Sequence, residues 1–281
     1  MKILGVMQGR LLPKYRGRYH AFPAETWQQE FFIAKELGLD CIEFILDQES
    51  IAVNPLLTEE GLDEIKTLTQ KTGVKVFTIC MDHIISSPPF ATTKIDREKS
   101  VDILKTLIRN GKSIGVTDIV LPFVDKASLL NNLPLLPQFE ETLAQAIPLA
   151  ESLGMNLDLE TDLPPKLFLD LLKRFNSKCL KVTYDTGNSA FLGYDVRQEM
   201  SAYGPYISTV HIKDRKRAAG SVILGTGDAK IDLVMSELKK HHFQGYIILE
   251  SFRDDEGVGI FKQQLNWLRP ILEKYESFAK T

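Results

Sequence analysis

The amino-acid sequence predicts one (β/α)8 barrel, the TIM-barrel fold, formed by residues 1–281 as a single domain. Eight short apolar runs alternate with eight longer amphipathic stretches, and this alternation is typical of parallel strands joined by helical crossovers. The 281 residues are close to the roughly 250 that such a barrel needs, and no low-complexity linker divides them. An open, doubly wound sheet is the alternative. Against it, MQGRLLP follows the first strand, where that fold would carry a GxGxxG loop.

The eight predicted strands are short and mostly bounded by Gly or polar residues, and several are rich in Val, Ile, Phe or Tyr. They cover residues 3–7, 41–45, 74–80, 119–123, 155–160, 180–185, 207–212 and 246–250. Each of them is followed by a stretch that predicts a helix. A strand and its helix therefore form one of eight repeated units.

The predicted helices carry apolar residues at helical spacing, as Trp27, Phe31 and Ala34 show in the first of them. They cover residues 24–37, 62–71, 95–115, 136–153, 164–175, 196–203, 233–241 and 258–275. Five of them end at a glycine just before the next strand, a position where glycine commonly terminates a helix. These predicted C-caps are Gly38, Gly73, Gly115, Gly154 and Gly245.

Charge and composition exclude several classes of protein. With 34 basic and 37 acidic residues the net charge is −3, whereas general binders of nucleic acid or anionic membranes usually have a basic excess. No apolar run approaches the roughly 20 residues that cross a bilayer, and the N-terminal segment does not resemble a signal peptide. Cys41, Cys80 and Cys179 are odd in number and far apart, which indicates reduced, buried thiols. We therefore expect a cytoplasmic protein without nucleic-acid or membrane partners.

Four polar residues end successive late strands. Glu160 stands in LDLET, Asp185 in TYDTGN, His211 in VHIKD and Glu250 in ILES, with one predicted helix in each interval. Because the C-terminal strand ends of such a barrel meet around one mouth, these side chains are expected to converge there. Three carboxylates and an imidazole, without a thiolate, suit a divalent ion such as Mn²⁺ or Mg²⁺.

Each of these residues also has a structural explanation. Asp185 can cap the helix that follows it, His211 can be a hydrogen-bonded core histidine, and Glu250 can pair with Arg253. Four such residues at the ends of apolar strands are harder to explain in this way, because buried charge without a partner is costly. The pattern therefore favours a metal site.

The chain resembles the xylose isomerase-like barrel superfamily, and within it the sugar (phosphate) isomerases and epimerases that include the ketose 3-epimerases. The matching segments are GVMQGRL, GLDCIEF, LDLET, VTYDTGN, VHIKDR and YIILESF. The resemblance implies that Glu160, Asp185, His211 and Glu250 hold one divalent ion, with Mn²⁺ favoured and Mg²⁺, Co²⁺ or Zn²⁺ as options. It also implies that Glu160 and Glu250 flank the substrate, a small sugar or sugar phosphate, and exchange its proton.

The expected chemistry follows from these groups. A metal bound to a ketose carbonyl and the neighbouring hydroxyl acidifies the carbon-bound proton and stabilises an enediolate. Two carboxylates on opposite faces then permit removal of the proton on one side and its return on the other. Inversion at one carbon gives an epimerase, and return to the adjacent carbon gives an aldose–ketose isomerase. The residues do not separate these two outcomes.

Further candidates for substrate binding follow the other strands. Gln8 and Arg10 follow the first strand, Glu43 and His83 end the second and third, and Asn188 stands in the DTGN turn. Each has a structural alternative, such as turn formation for Asn188.

Basic residues supply the remaining candidates. Lys213 and Arg215 follow the seventh strand, where barrels often bind phosphate, so either residue can clamp an anion or orient the sugar. The later Lys216 and Arg217 are expected to be solvent-exposed. The basic loop near the N-terminus is also expected to be exposed, with a lid over an anionic substrate as the alternative. That loop contains Lys14, Arg16, Arg18 and His20.

Three other functions remain as alternatives. An inosose dehydratase-like lyase begins with the same proton abstraction. An endonuclease IV-like nuclease needs three metals and more histidines than the five present. A non-catalytic metal- or sugar-binding barrel would be expected to lack Glu160 or Glu250. Barrels of this family often pair, so a homo-oligomer is also compatible with the sequence.

Overall fold

A computed structural model describes residues 3–90 and 93–276. The barrel strands are β1 (Ile3–Met7), β2 (Cys41–Ile45), β3 (Thr78–Cys80), β4 (Asp118–Phe123), β5 (Asn156–Thr161), β6 (Leu180–Asp185), β7 (Ile207–Ile212) and β10 (Tyr246–Leu249). A short antiparallel hairpin of β8 (Asp214–Arg215) and β9 (Ser221–Val222) lies between β7 and β10 in the chain.

The barrel strands are all parallel, and β10 closes the ring against β1. In that closing pair Ile3 lies opposite Tyr246 and Val6 opposite Leu249. The predicted (β/α)8 barrel is therefore confirmed. The third strand is shorter than its predicted range of 74–80, because its first part joins β2 only through an isolated bridge between Cys41 and Lys75.

The helices surround this barrel. They are α1 (Trp27–Glu36), α2 (Glu59–Thr72), α3 (His83–Ser86), α4 (Lys94–Ile114), α5 (Leu136–Ala144), α6 (Ile147–Leu153), α7 (Pro165–Phe175), α8 (Thr186–Leu192), α9 (Val196–Tyr203), α10 (Ile231–Lys240) and α11 (Val258–Glu276). Two short helices that the sequence pattern did not predict, α3 and α8, begin within a few residues of the ends of β3 and β6. Both lie on the side of the barrel where the site residues are found. No helix of the described residues combines the length and apolar character that a membrane crossing requires.

Two predictions about the helices are wrong. The stretch 136–153 is two helices, because Pro148 has no N–H to donate to the carbonyl of Ala144, where α5 ends. Gly245 does not cap a helix, since α10 ends earlier and Gly245 packs closely on the backbone of Ser208. The other four glycines have the positive φ that such caps need, from 61° at Gly154 to 93° at Gly115.

The apolar core has two parts. Most of it lies between the helices and the barrel, where Phe22, Trp27, Phe31 and Phe44 pack with ring centroids 5.6–6.4 Å apart. A smaller cluster fills the barrel interior and comprises Met7, Cys41, Ile45, Cys80, Val120 and Ile248. All three cysteines are free and buried, as predicted, and burial raises their thiol pKa values.

We predict that Gly5→Ala lowers the free energy of unfolding by about 1–3 kcal/mol, because its methyl group would overpack the interior of the barrel. A Cβ at Gly5 would overlap the Sγ of Cys41 and lie 2.8 Å from Cδ1 of Ile248. Gly259→Ala in α11 is the control, since nothing lies within 4 Å of a Cβ there. That change is expected to stabilise the helix by up to about 1 kcal/mol. Urea unfolding measures both variants, and equal stabilities would contradict the described packing.

Candidate active site

The four predicted ligands converge at the C-terminal mouth of the barrel. Glu160 lies in β5, Asp185 ends β6, His211 lies in β7 and Glu250 follows β10, and all four are buried. Atoms of Glu160, Asp185 and His211 that can bind a metal lie within 4.8 Å of one another. The structure thus brings these residues together as the strand-end pattern predicts.

The two carboxylate oxygens of Asp185 have different surroundings. Its Oδ1 accepts hydrogen bonds from the backbone N–H groups of Gly187 (2.7 Å) and Asn188 (2.9 Å) and so caps α8. Its Oδ2 has no hydrogen-bond partner among the described residues, although Lys213 Nζ lies 3.5 Å away. One oxygen therefore holds the helix while the other is available to a cation.

His211 is surrounded by carboxylates. Its Nε2 lies 2.9 Å from Oε1 of Glu43, and its Nδ1 lies 3.2 Å from Oε2 of Glu250 and 3.8 Å from Oε2 of Glu160. Burial alone would lower the pKa of His211, but the carboxylates of Glu43 and Glu250 raise it well above its usual value. Glu43 and Glu250 thus contact opposite nitrogens of the ring, and Nδ1 faces Glu160 and Glu250.

The donor set fits a divalent cation. Carboxylate oxygens with one imidazole nitrogen suit Mn²⁺, Mg²⁺, Co²⁺ or Zn²⁺. The orphaned Oδ2 of Asp185 is a further sign, because a buried carboxylate oxygen without a partner is costly. The charge of Glu160 is also disfavoured, since burial and the neighbouring Asp185 raise its pKa to about 8. A bound cation would relieve both.

Lys213 lies within this acidic cluster. Its Nζ is 2.7 Å from Oε1 of Glu250 and 3.5 Å from Oδ2 of Asp185. Burial would raise the pKa of Glu250, but Lys213 and His211 lower it well below its usual value. The predicted anion clamp is thus paired with carboxylates of the protein, even though the side chain also lines the cavity.

Asn188 and Arg215 form a polar chain that leads to Glu160. Asn188 donates from Nδ2 to Oε1 of Glu160 at 2.6 Å, and its Oδ1 accepts from Nη1 of Arg215 at 2.9 Å. The Arg215 guanidinium lies 4.0 Å from the ring centroid of Phe191, which holds it in place. Both residues line the cavity, where they are available to a ligand.

The segment 13–23, which we call the strap, connects β1 to α1 and contacts the loops that follow β10 and β2, the two neighbours of β1 in the barrel. Lys14 pairs with Asp255 at 2.8 Å on one side, and Arg18 pairs with Asp47 at 3.0 Å on the other. The expectation that this basic loop is simply exposed is therefore wrong, although Arg16 is exposed. Such long-range ion pairs leave no periodic signal in the sequence.

Arg10 and His20 bring the start of the chain to the site. The Arg10 side chain is buried, and its Nη2 lies 3.4 Å from Oε1 of Glu250 and 3.3 Å from Nδ1 of His20. His20 Nδ1 lies 3.7 Å from Oε1 of Glu250. Burial and the Arg10 charge lower the pKa of His20 to about 3, so its ring is neutral.

The cavity above these groups has a volume of about 430 Å³, within the range of small-molecule sites. Its polar lining comes from the residues Tyr19, His20, Asp82, Asp125, Glu160, Asn188, His211, Lys213, Arg215, Ser221 and Glu250. Tyr19, Asp82, Asp125 and Ser221 were not predicted. They lie in loops or at the short hairpin, where no apolar periodicity marks them.

Four predicted substrate contacts do not line this cavity, and Arg10, described above, is one of them. Oε1 of Gln8 accepts the backbone N–H of Ile45 at 3.0 Å. Glu43 lies beneath His211, where it is 0% exposed. His83 is buried at the start of α3, beside the cavity-lining Asp82.

Known proteins resemble this chain along most of its length. A family model described as "Xylose isomerase-like TIM barrel" matches residues 31–271. The L-ribulose-5-phosphate 3-epimerase UlaE of Escherichia coli O1:K1 / APEC is 24% identical over 266 residues, which are 90% of this chain and 93% of that protein. The putative L-ribulose-5-phosphate 3-epimerase SgbU of Haemophilus influenzae is also 24% identical, over 89% and 92% of the two chains.

Solved structures of the same fold include an L-ribulose 3-epimerase, with a TM-score of 0.75 and 16% identity over 100% of this chain and 97% of the other. The IOLI protein with a bound zinc atom gives the same TM-score and identity over 98% and 99% of the two chains. The convergence of the strand-end residues, the closed barrel and the family match all indicate the same family. The chain belongs to the family of xylose isomerase-like TIM barrels.

Proposed function

We propose that this enzyme is a divalent-metal-dependent ketose 3-epimerase that acts on a small sugar or sugar phosphate. The observation that carries the proposal is the position of two glutamates, Glu160 and Glu250. Both are buried, both line the same cavity, and both have an oxygen within 3.8 Å of Nδ1 of His211. Two such carboxylates are what removal and return of one proton require.

The residues proposed to hold the ion are Glu160, Asp185, His211 and Glu250. When bound, a divalent cation would polarise the ketose carbonyl and so make the adjacent carbon-bound proton more acidic. Neighbours of the same fold have been solved with zinc or with magnesium, which supports a divalent ion without selecting one. Mn²⁺ remains our preferred choice.

The protein environment gives the two glutamates different proton affinities. The Lys213 ammonium holds the pKa of Glu250 low, so this carboxylate is ionised and able to accept a proton. Without a cation, burial and the neighbouring Asp185 raise the pKa of Glu160 to about 8, and a bound divalent ion would lower it. In the proposed reaction one glutamate removes the proton from one side of the substrate and the other returns it from the opposite side, which inverts the carbon.

Two observations favour a phosphorylated ketose as the first substrate to test. The curated relatives UlaE and SgbU are named for L-ribulose 5-phosphate. Arg215 lines the cavity and uses its Nη1 and Nε for hydrogen bonds to Asn188 and Ala219. Its third nitrogen, Nη2, therefore remains for an anionic group of the ligand.

A three-metal nuclease is less well supported. Among residues 3–90 and 93–276, a single group of side chains has metal-binding geometry, and it contains one histidine. A lyase that begins with the same proton abstraction uses the same residues, so the products distinguish it from an epimerase.

We predict that the wild-type protein binds about one equivalent of Mn²⁺ and that His211→Ala loses it, because the imidazole nitrogen is replaced by a methyl group. His242→Ala is the matched control, since His242 is exposed in the turn after α10 and should leave the metal content unchanged. Elemental analysis after dialysis against Mn²⁺ measures all three proteins. A wild-type protein that retains no divalent ion would contradict the proposed centre.

We predict that Glu160→Gln and Glu250→Gln each lower the rate of carbon-3 hydrogen exchange of L-ribulose 5-phosphate by about 10²–10⁴-fold, because an amide cannot act as the base. Proton NMR in D₂O follows the exchange, and the same spectra identify the epimer, an aldose or a dehydrated product. Glu140→Gln, in an exposed pair with Arg174 at 2.7 Å, should exchange at the wild-type rate. Exchange that survives in both site variants would exclude these glutamates as the proton carriers.

A further inference from the structure

Two polar side chains outside the proposed metal ligands face each other in the cavity. His20 belongs to the strap, and Asp82 belongs to the segment between β3 and α3. The Nε2 of His20 lies 3.8 Å from Oδ1 of Asp82, which is too long for a direct hydrogen bond. Nε2 is buried and has no hydrogen-bond partner among the described residues. This polar atom is therefore available to a ligand.

Arg10 determines which nitrogen of His20 carries the hydrogen. A guanidinium has only donors, so at 3.3 Å from Nη2 of Arg10 the Nδ1 of His20 must accept. A ring nitrogen that accepts a hydrogen bond carries no proton. The single hydrogen of the neutral ring therefore lies on Nε2, which faces Asp82.

The strap holds His20 in this position. Nη1 of Arg10 donates to the backbone carbonyl of Tyr19 at 3.0 Å. The ion pairs of Lys14 with Asp255 and of Arg18 with Asp47 tie the strap to the loops on both sides of β1. A donor on the strap and an acceptor after β3 are thus presented at a defined separation.

A hydroxyl group matches this arrangement. Its oxygen can accept from Nε2–H of His20 while its hydrogen donates to the carboxylate of Asp82, with the oxygen placed to one side of the 3.8 Å line that joins Nε2 and Oδ1. A phosphate fits poorly, because burial and the negative charges of Glu250 and Asp47 already raise the pKa of Asp82 to about 7, and a phosphate would add further negative charge. A carbonyl would satisfy the histidine but leave the carboxylate without a donor.

We propose that His20 and Asp82 form a specificity-determining pair that binds one hydroxyl of the sugar close to the reacting carbon. The location follows from Nδ1 of His20, which lies 3.7 Å from Oε1 of Glu250. This inference rests on the proposed function, since it assigns part of the same cavity to the substrate. It adds two residues that the strand-end pattern does not contain.

The test compares variants of the Mn²⁺-loaded protein with L-ribulose 5-phosphate as the probe. His20→Phe keeps an aromatic ring but removes the donor, His20→Gln restores an N–H near the position of Nε2, and Asp82→Asn removes the charge. Calorimetry measures the Kd of the probe, and NMR in D₂O measures kcat and KM for exchange. His242→Phe is the control for the same substitution on the surface.

We expect His20→Phe to weaken kcat/KM by about 10–100-fold, since one hydrogen bond to the substrate is lost. His20→Gln should recover most of this loss. The kcat/KM of the His20→Phe/Asp82→Asn double variant should be only slightly lower than that of the more impaired single variant, because both side chains bind one hydroxyl. Metal content and Tm should stay within the range of the control, which a purely structural role of His20 would not predict.

Other outcomes separate this inference from the proposed function. The pair would be overturned if the fold losses in kcat/KM of the two single variants multiplied in the double variant. It would also be overturned if His20→Phe bound and exchanged the probe normally. A wild type that binds the probe without exchange would overturn the epimerase proposal. The change in Kd between the wild type and the His20 and Asp82 variants would still test the pair. A wild type that neither binds nor exchanges the probe would contradict both.

Discussion

The accumulation of buried negative charge at the mouth of the barrel is the constraint on which the rest of the site depends. Four carboxylates, those of Glu43, Glu160, Asp185 and Glu250, are each at most 5% exposed and surround one histidine. Such groups repel one another and lose their hydration, so they need positive charge close by. The protein supplies it through Lys213, which follows β7, and Arg10, which follows β1. Much of the architecture around the mouth serves to bring these two cations inward.

The first loop of the chain shows how far this organisation extends. Glu30 of α1 is fully buried, and its Oε1 accepts the backbone N–H groups of Gly9 at 2.7 Å and Leu11 at 3.4 Å. Burial raises the pKa of Glu30 to about 8, an effect opposed by these two hydrogen bonds. A carboxylate outside the cavity thus fixes the backbone on either side of Arg10, which in turn contacts Glu250 and His20.

The sequence predicts the barrel and the meeting of its strand ends because both depend on regular patterns. Apolar runs mark the strands, and a closed parallel ring places Glu160, Asp185 and His211 at one mouth. Irregular segments lack such a pattern. The sequence therefore does not predict that His20 and Asp82 line the cavity. The break at Pro148 was missed for a related reason, because apolar periodicity continues on both sides of it. The roles assigned to the individual site residues remain predictions.

The closing pair of strands has a consequence for the order in which the protein can assemble during synthesis. The ribosome delivers β1 before its partner β10, which is the last of the barrel strands to emerge. Glu250 follows that same strand, whereas Glu160, Asp185 and His211 appear earlier along the chain. A nascent chain therefore carries three of the four proposed ligands before its barrel can close. The complete ligand set and the closed barrel then form together, once β10 and Glu250 have emerged.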